Sequence, residues 1–497
     1  MSTQVIENNP VKKIGSAGWS LAAPVLTHVK PVRHLVFNNV EKYIRETRKS
    51  LTPILPDSPG VKGDKSEFSK ALLHTADRML DSHLSNAYLK SIGNTLVDLF
   101  AEGGRRDSVE QFYDAFQTKP PLFLTISPGK KCNLDCVGCY ANSGNDIESL
   151  DWDVLDRIIT EAKSLWGVRF LVISGGEPLA YRSKGKGLLD AVEKHPDVFF
   201  LMFTNGTLIN DGVARRMAEL GNITPAISVE GLRELTDKRR GEGVFDRVQD
   251  SMRRLKKAGV PFGISLTATC ENVEEIFSDD FIDLFFDELG ALYGWVFHYM
   301  PIGRSFTLDL MPTPEQRIWM WKRVWEIIHQ RHIFLADFWN HGTLTNGCIA
   351  AGRSDGGGYL YIDWNGAVSP CVFVPYSPVN INDIYKSGEN LNDVWKKPFF
   401  KDIRDWQMNY REEEGNLLSP CINRDHHGDL RNLIARHEPE PIDENAHKAL
   451  LDSEYANGLK AYGKDYQTLS DPYWEKYYLH PAGNNGGYDR PAPDTDL

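Results

Sequence analysis

The sequence predicts an α/β fold, a parallel sheet with helices packed outside it. Three observations carry this. Between residues 122 and 331, short apolar runs alternate six times with amphipathic helical stretches, the pattern of repeated βα units. Runs such as Phe170-Leu-Val-Ile-Ser174 and Val198-Phe-Phe-Leu-Met-Phe203 are continuously apolar, as strands buried on both faces are. Residues able to do chemistry fall just after these runs, where parallel α/β folds place their sites.

The elements follow in order. Residues 1–118 read as a helical N-terminal extension. Asp64 to Leu80, Ser85 to Phe100 and Ser108 to Phe116 carry apolar residues at helical spacing, with no hairpin pattern. Lys119-Pro120-Pro121 marks a boundary. The βα region is expected over 119–333. Leu122 to Ile126 is a strand and Leu150 to Leu165 a helix. A strand over 168–174 ends at Gly175-Gly176, and a helix spans 187–195. The strand 198–203 ends at Thr204-Asn205, and a helix spans 211–220. The strand 224–229 ends at Glu230, and a helix spans 244–258. A strand over 263–268 and a helix over 273–289 come next, then a strand over 294–299 and a helix over 313–331. Residues 334–435 form a small α+β module with a hairpin, Gly358 to Ile362 and Ala367 to Ser369 around an Asn365-Gly366 turn. Residues 436–497 are an acidic, aromatic tail, with Gly483 to Leu497 of disordered composition.

Composition is that of a soluble globular protein, at 41% hydrophobic and 25% charged residues. The net charge of −12 argues against a nucleic-acid binder, which would show a basic patch. No apolar run reaches the roughly 18 residues of a spanning helix. The first 50 residues are locally basic, with Lys12, Lys13, Lys30, Arg33, Lys42, Arg45, Arg48 and Lys49. These are either solvated helix faces or a contact with an anionic surface such as lipid headgroups.

The chemistry concentrates in Lys-Lys-Cys132-Asn-Leu-Asp-Cys136-Val-Gly-Cys139-Tyr140. Three thiolates at C-x3-C-x2-C spacing suit three irons of a four-iron cluster and leave the fourth open. Zinc usually takes four ligands from paired knuckles, and no second knuckle lies near Cys139. Seven cysteines in 497 residues are too sparse for a disulfide framework. Downstream, Gly175-Gly176-Glu177-Pro178 follows an apolar strand. Glycines there admit close backbone approach, although a Gly-Gly turn alone is an ordinary loop. Cys348, Cys371 and Cys421 all occupy loop-like contexts. Structural zinc is the bland alternative for these three, and Cys270 reads as packing.

Together these motifs resemble the radical S-adenosylmethionine (radical SAM) family over roughly residues 120–333. The resemblance implies a partial (β/α)6 TIM-like barrel. It implies that Cys132, Cys136 and Cys139 hold a 4Fe–4S cluster whose open iron takes the methionine moiety of S-adenosylmethionine (SAM). Gly175, Gly176, Glu177 and Pro178 match the motif that binds the methionine amino group. Tyr140 matches a position near adenine. Thr204, Asn205, Ser228 and Glu230 match strand-end contacts to ribose or methionine, though a lone Ser or Thr there is often a helix cap. Arg240 matches an Arg-Gly pair that binds the methionine carboxylate, for which a guanidinium fork is suited. Met300-Pro-Ile-Gly-Arg304 resembles a loop lying over adenine. Gly366 and Cys371 keep the G-x4-C element of SPASM or twitch extensions, although the remaining cysteine groups of a two-cluster extension are absent. Cys348, Cys371 and Cys421 therefore imply one auxiliary iron–sulfur cluster, with His426 or His427 a candidate fourth ligand.

The resemblance implies an enzyme reduced by a flavodoxin or ferredoxin. It cleaves SAM to a 5′-deoxyadenosyl radical and abstracts hydrogen from an unactivated C–H of an unidentified substrate: a small molecule, a lipid or a peptide. A ribosomal-peptide maturase is one alternative, and a non-catalytic iron–sulfur or electron-transfer protein is another. An oxygen-labile cluster with reduced thiols implies a cytoplasmic protein. If the basic N-terminal residues meet lipid, the protein co-sediments with anionic vesicles more than with neutral ones. That excess falls with salt, because surface charge attraction is screened. Equal sedimentation with both removes the lipid contact.

Overall fold

The computed structural model describes residues 57–91 and 104–479. The basic N-terminal stretch and the segment from Gly483 to Leu497 lie outside the described residues. The strands are β1 (Phe123–Ile126), β2 (Phe170–Ile173), β3 (Phe199–Thr204), β4 (Ile223–Val229), β5 (Gly263–Ala268), β6 (Tyr293–His298), β7 (Phe334–Asp337), β8 (Tyr359–Ile362) and β9 (Ala367–Ser369). They form one sheet in the order β9-β8-β1-β2-β3-β4-β5-β6-β7, and Val379–Asn380 pairs outside β9. All neighbours from β8 to β7 are parallel; β9 returns antiparallel to β8. The sheet is open and curved, a partial barrel extended by the C-terminal module.

Alternation within each strand divides the sheet into two faces. Leu124, Ile126, Leu171, Ile173, Phe200 and Met202 are fully buried in the main core. Their neighbours Phe170, Val172, Leu201, Phe203, Trp295 and Phe297 border an interior cavity. The apolar runs therefore serve two purposes, a core outside and a chamber inside. The helices present their apolar stripe to the sheet. Val244–Ala258 buries Val244, Val248, Met252 and Leu255 at helical spacing, at about 1.5–3 kcal/mol per side chain. It ends at Gly259, whose φ of +75° makes a left-handed cap.

Three details differ from the sequence expectation. The helix expected over 273–289 is broken into Val273–Ile276, Asp279–Ile282 and a π-turn over Asp283–Glu288. The Ser278 hydroxyl accepts from the Phe281 N–H at 3.2 Å and starts a new helix there. A helix over Arg233–Arg240 follows β4, too polar for its periodicity to stand out. The expected boundary at 333 is no break in the sheet, because β7 pairs with β6 and β8 pairs with β1.

The segments on either side of the sheet close over it. Pro59–Asp81 is a helix whose Phe68 ring lies 4.7 Å from Phe334 and borders the chamber. The C-terminal helix Ser453–Trp474 packs on Pro314–Arg331. The Asp64 carboxylate accepts from Thr343 at 2.6 Å and Tyr478 at 2.9 Å. No described helix is long and apolar enough to cross a membrane.

Arg317 and Asp425, both buried with no exposed side-chain surface, form an ion pair. The guanidinium reaches Asp425 Oδ2 at 3.1 Å, Asn340 Oδ1 at 3.1 Å and the Leu418 carbonyl at 3.2 Å, and lies 3.6 Å over the Tyr466 ring. Removing one partner of such a pair strands the other without water. Arg317→Met is expected to lower unfolding free energy by about 3–5 kcal/mol in a denaturant titration. Lys401→Met, which breaks an exposed pair with Asp405, leaves the midpoint unmoved.

Candidate functional site

All six motif cysteines border one cavity of about 460 Å³. Cys132, Cys136 and Cys139 lie on the loop after β1, at the C-terminal end of the sheet. Hydrogen bonds to its backbone hold the loop, beside the packing of Leu134 and Tyr140 against the core. The Cys132 N–H donates to Gly144 O at 2.7 Å, and Val137 N–H to Arg239 O at 3.0 Å. Arg304 N–H donates to Cys139 O at 2.9 Å, and its guanidinium to Cys136 O at 2.7 Å. Gly303, at φ +75°, lies so close that a Cβ would stand 2.1 Å from Tyr140 O. The 300–304 loop therefore clasps the cysteine backbone, and Met300 borders the cavity.

Gly175 and Gly176 border the same cavity. The Gly176 N–H donates to Gly129 O at 3.0 Å, and Glu177 N–H to Lys131 O at 2.8 Å. A Cβ on Gly176 would stand 2.2 Å from Lys130 O and 2.3 Å from Lys131 O. The turn is thus laid directly on the segment that joins β1 to the cysteines. Glu177 is not among the residues bordering the cavity. Its carboxylate accepts from Thr204 Oγ1 at 2.8 Å, Asn205 N–H at 2.9 Å and Leu179 N–H at 3.1 Å. Burial pushes its carboxyl up, and these donors oppose the shift. Pro178 is buried at the start of a one-turn 3₁₀ helix and does not reach the cavity either. Thr204, Asn205, Ser228, Tyr140 and Arg240 do. The Tyr140 hydroxyl lies 2.5 Å from Ser174 Oγ and accepts from Gly175 N–H at 3.3 Å.

Glu230 is buried and stands behind the arginines. It accepts from Arg239 Nη1 at 2.6 Å and from Arg240 through Nε at 2.8 Å and Nη2. Arg240 and Arg239 lower the Cys136 thiol, but burial outweighs them and it titrates high. Burial likewise pushes Cys132 up to about 11. A free thiolate is penalised here, so a cationic group bound to the sulfurs fits the donor set. Asn205 Nδ2 donates to Cys132 Sγ at 3.7 Å.

The second set converges from three segments. Ala351 N–H donates to Pro370 O at 2.8 Å, joining the chain beside Cys348 to that beside Cys371. The Cys371 sulfur lies 3.0 Å from the Tyr359 hydroxyl and accepts from Phe373 N–H at 3.4 Å. Cys421 Sγ accepts from Arg424 N–H at 3.4 Å, and Cys421 N–H donates to Asp425 at 3.0 Å. Burial pushes Cys371 and Cys421 up, the latter to about 12, and the neighbouring cysteines add to it. A tetrahedral zinc with bonds near 2.3 Å needs sulfurs about 3.8 Å apart. Among the described residues, no three His, Cys, Asp or Glu converge to hold a single metal ion. Cys348, Cys371 and Cys421 all border the cavity, and their thiols could hold an iron–sulfur cluster. His426 and His427 face the carbonyls of Ser419 at 2.8 Å and Asn423 at 2.9 Å, and neither borders the cavity. Cys270 also lies outside it, with Sγ 3.0 Å from Asp309 O.

Sequence reasoning missed a further part of the cavity's lining. His298 ends β6 and Asp337 ends β7, 3.0 Å apart and fully buried. Trp339 and Phe373 stand beside them, ring centroids 4.9 Å apart. The only signal for His298 was its place at the end of an apolar strand.

A family model described as the Radical SAM superfamily matches residues 126–278. A second, SPASM, described as an iron-sulfur cluster-binding domain, matches residues 354–423. The AdoMet-dependent heme synthase of Methanosarcina barkeri is 27% identical over 328 residues, 58% of this chain and 86% of that protein. The mycofactocin maturase MftC of Mycolicibacterium smegmatis is 30% identical over 313 residues, 60% of this chain and 76% of that protein. The solved structure of anSMEcpe with bound AdoMet has a TM-score of 0.50 at 17% identity, covering 71% of this chain and 98% of that one. That likeness is one of fold. Gly176→Ala is expected to displace the cysteine loop and cut SAM cleavage about a hundredfold, the cost of a shift of about 1 Å. Gly428→Ala, whose Cβ would meet nothing nearer than 3.8 Å, leaves 5′-deoxyadenosine release unchanged.

Proposed function

Because this chain belongs to the radical SAM superfamily and carries a SPASM iron–sulfur domain, we propose that its two cysteine sets serve one substrate chamber, Cys132, Cys136 and Cys139 holding the SAM-binding cluster and Cys348, Cys371 and Cys421 an auxiliary one. The observation that supports this reading is that all six sulfurs' residues border the same cavity. When bound, a four-iron cluster with an open iron supplies the electron that splits SAM and yields a 5′-deoxyadenosyl radical for hydrogen abstraction.

The chain's own residues orient the parts. Gly175 and Gly176 leave room for backbone contact with the methionine moiety, and Tyr140, Thr204, Asn205 and Ser228 contact the rest of SAM. Glu177 acts as a positioning residue, fixing Thr204 and Asn205 rather than touching ligand. Glu230 holds Arg239 and Arg240 so that Arg240 presents its guanidinium to the methionine carboxylate. The aromatic wall of Phe297, Trp339 and Phe373 keeps water from the reacting centre. A flavodoxin or ferredoxin-type protein supplies electrons, and the reducing cytoplasm keeps the thiols free. A peptide substrate is the second reading, favoured by the relative named a mycofactocin maturase.

Two clusters give about eight irons per reconstituted chain, and one gives about four. Replacing Cys132, Cys136 and Cys139 with alanine is expected to leave about four irons and abolish 5′-deoxyadenosine release. Replacing Cys348, Cys371 and Cys421 leaves about four and retains release. If the first variant holds no iron–sulfur chromophore, the auxiliary site is wrong. If it still forms 5′-deoxyadenosine at the wild-type rate, the assignment of the first cluster is wrong.

A further inference from the structure

We propose that Tyr359 sets the reduction potential of the auxiliary site, its hydroxyl donating a hydrogen bond to the sulfur of Cys371 and so making a bound cluster easier to reduce. This rests on reading Cys348, Cys371 and Cys421 as ligands of one iron–sulfur cluster.

The contact comes from the hairpin. Its register sets Tyr361 opposite Ser369, and two residues further along each arm Tyr359 meets Cys371. The Tyr359 hydroxyl lies 3.0 Å from Cys371 Sγ. Its oxygen already accepts from the Val372 N–H at 3.3 Å. A phenol keeps its proton at neutral pH, and a thiolate bound to iron has none to give. The hydroxyl is therefore the donor and the sulfur the acceptor. The Phe373 N–H donates to the same sulfur at 3.4 Å, so Cys371 takes two hydrogen bonds. The hydroxyl stands closer to its sulfur than Asn205 Nδ2 does to Cys132, at 3.7 Å, or the Arg424 N–H to Cys421, at 3.4 Å.

The donor is also fixed in place. The Tyr359 ring stacks on Phe123 with centroids 5.0 Å apart and planes 6° apart, and the residue is buried, so water has no easy way to replace the hydroxyl. Low polarity around it makes the hydrogen bond count for more than it would in water. A hydrogen bond to a ligating sulfur draws negative charge off the iron. It favours the reduced state, which carries one more negative charge, and hydrogen bonds to the sulfurs are among the factors that set such potentials.

The test uses the full-length reconstituted chain with Cys132, Cys136 and Cys139 replaced by alanine, so that only the auxiliary site is read. Iron is counted first, and the site is then titrated with dithionite through redox mediators and followed by its optical and EPR signals. Adding Tyr359→Phe, which keeps the ring and removes the donor, is expected to lower the one-electron reduction constant about tenfold, or about 59 mV. Incorporating 3-fluorotyrosine at position 359, a stronger donor of nearly the same shape, raises the potential. Tyr361→Phe, which removes a hydroxyl bonded to Ser127, leaves it unmoved. With about four irons still bound, a potential that Tyr359→Phe leaves in place or raises, or that Tyr361→Phe lowers equally, overturns the proposal. Should Tyr359→Phe lose its iron, the 3-fluorotyrosine protein decides alone, and an unchanged potential there overturns it. A background chain with no iron–sulfur chromophore sinks the auxiliary site and the proposal with it, a failure told apart by the iron count before any potential is read.

Discussion

The parallel pairing of β8 with β1 is the constraint on which the rest depends. Its register sets Phe123 beside Tyr359 and Ile126 beside Ile362. β1 runs out into the first cysteine loop, and β8 turns through β9 towards Cys371. One row of backbone hydrogen bonds thus brings two cysteine-bearing segments, more than 200 residues apart in the chain, to the same end of one sheet. Hydroxyls reinforce the join. Tyr361 donates to Ser127 at 2.9 Å, Ser127 lies 3.4 Å from Ser174, and Ser174 lies 2.5 Å from Tyr140. The chain of contacts runs from the C-terminal hairpin to the residue after the third cysteine. On the far side, Asp425 links Arg317 to the backbone of Cys421.

What was legible in the sequence was local. The cysteine spacing, the Gly-Gly turn and the Asn365-Gly366 hairpin each declare themselves within ten residues, because turn and ligand geometry act over that range. The strands were legible because they are apolar on both faces, though the sequence offered no sign that one face lines a hollow. β7 was hidden, since Phe334 to Asp337 is four residues long and follows a long helix directly. The role of Glu177 was hidden for another reason. A carboxylate after two glycines looks ready for a ligand, but whether it faces ligand or strand depends on Thr204 and Asn205, 27 and 28 residues away. The His298–Asp337 pair joins two strand ends, and no periodicity couples them.

The arginines show how charge is used around the sulfurs. Glu230 occupies Arg239 and Arg240, so two cations stand near Cys136 against a single carboxylate. In the second set Arg353 lowers the Cys348 thiol, against the larger upward push of burial. Both sets of thiols thus have positive charge nearby to offset the anionic character of a thiolate-bound cluster, and burial makes each such charge count for more than it would in water.

The Asp64 carboxylate works as a buckle. It receives the hydroxyl of Thr343 just after β7 and that of Tyr478 at the close of the C-terminal helices, and it sits on the same helix as Phe68. A helix from ahead of the sheet and a tyrosine from beyond the SPASM match are therefore cinched to the edge of the chamber at a single point. Shortening the protein to its two recognisable cores would unfasten that belt and let solvent in beside Phe334, so the flanking segments belong to the reaction vessel itself.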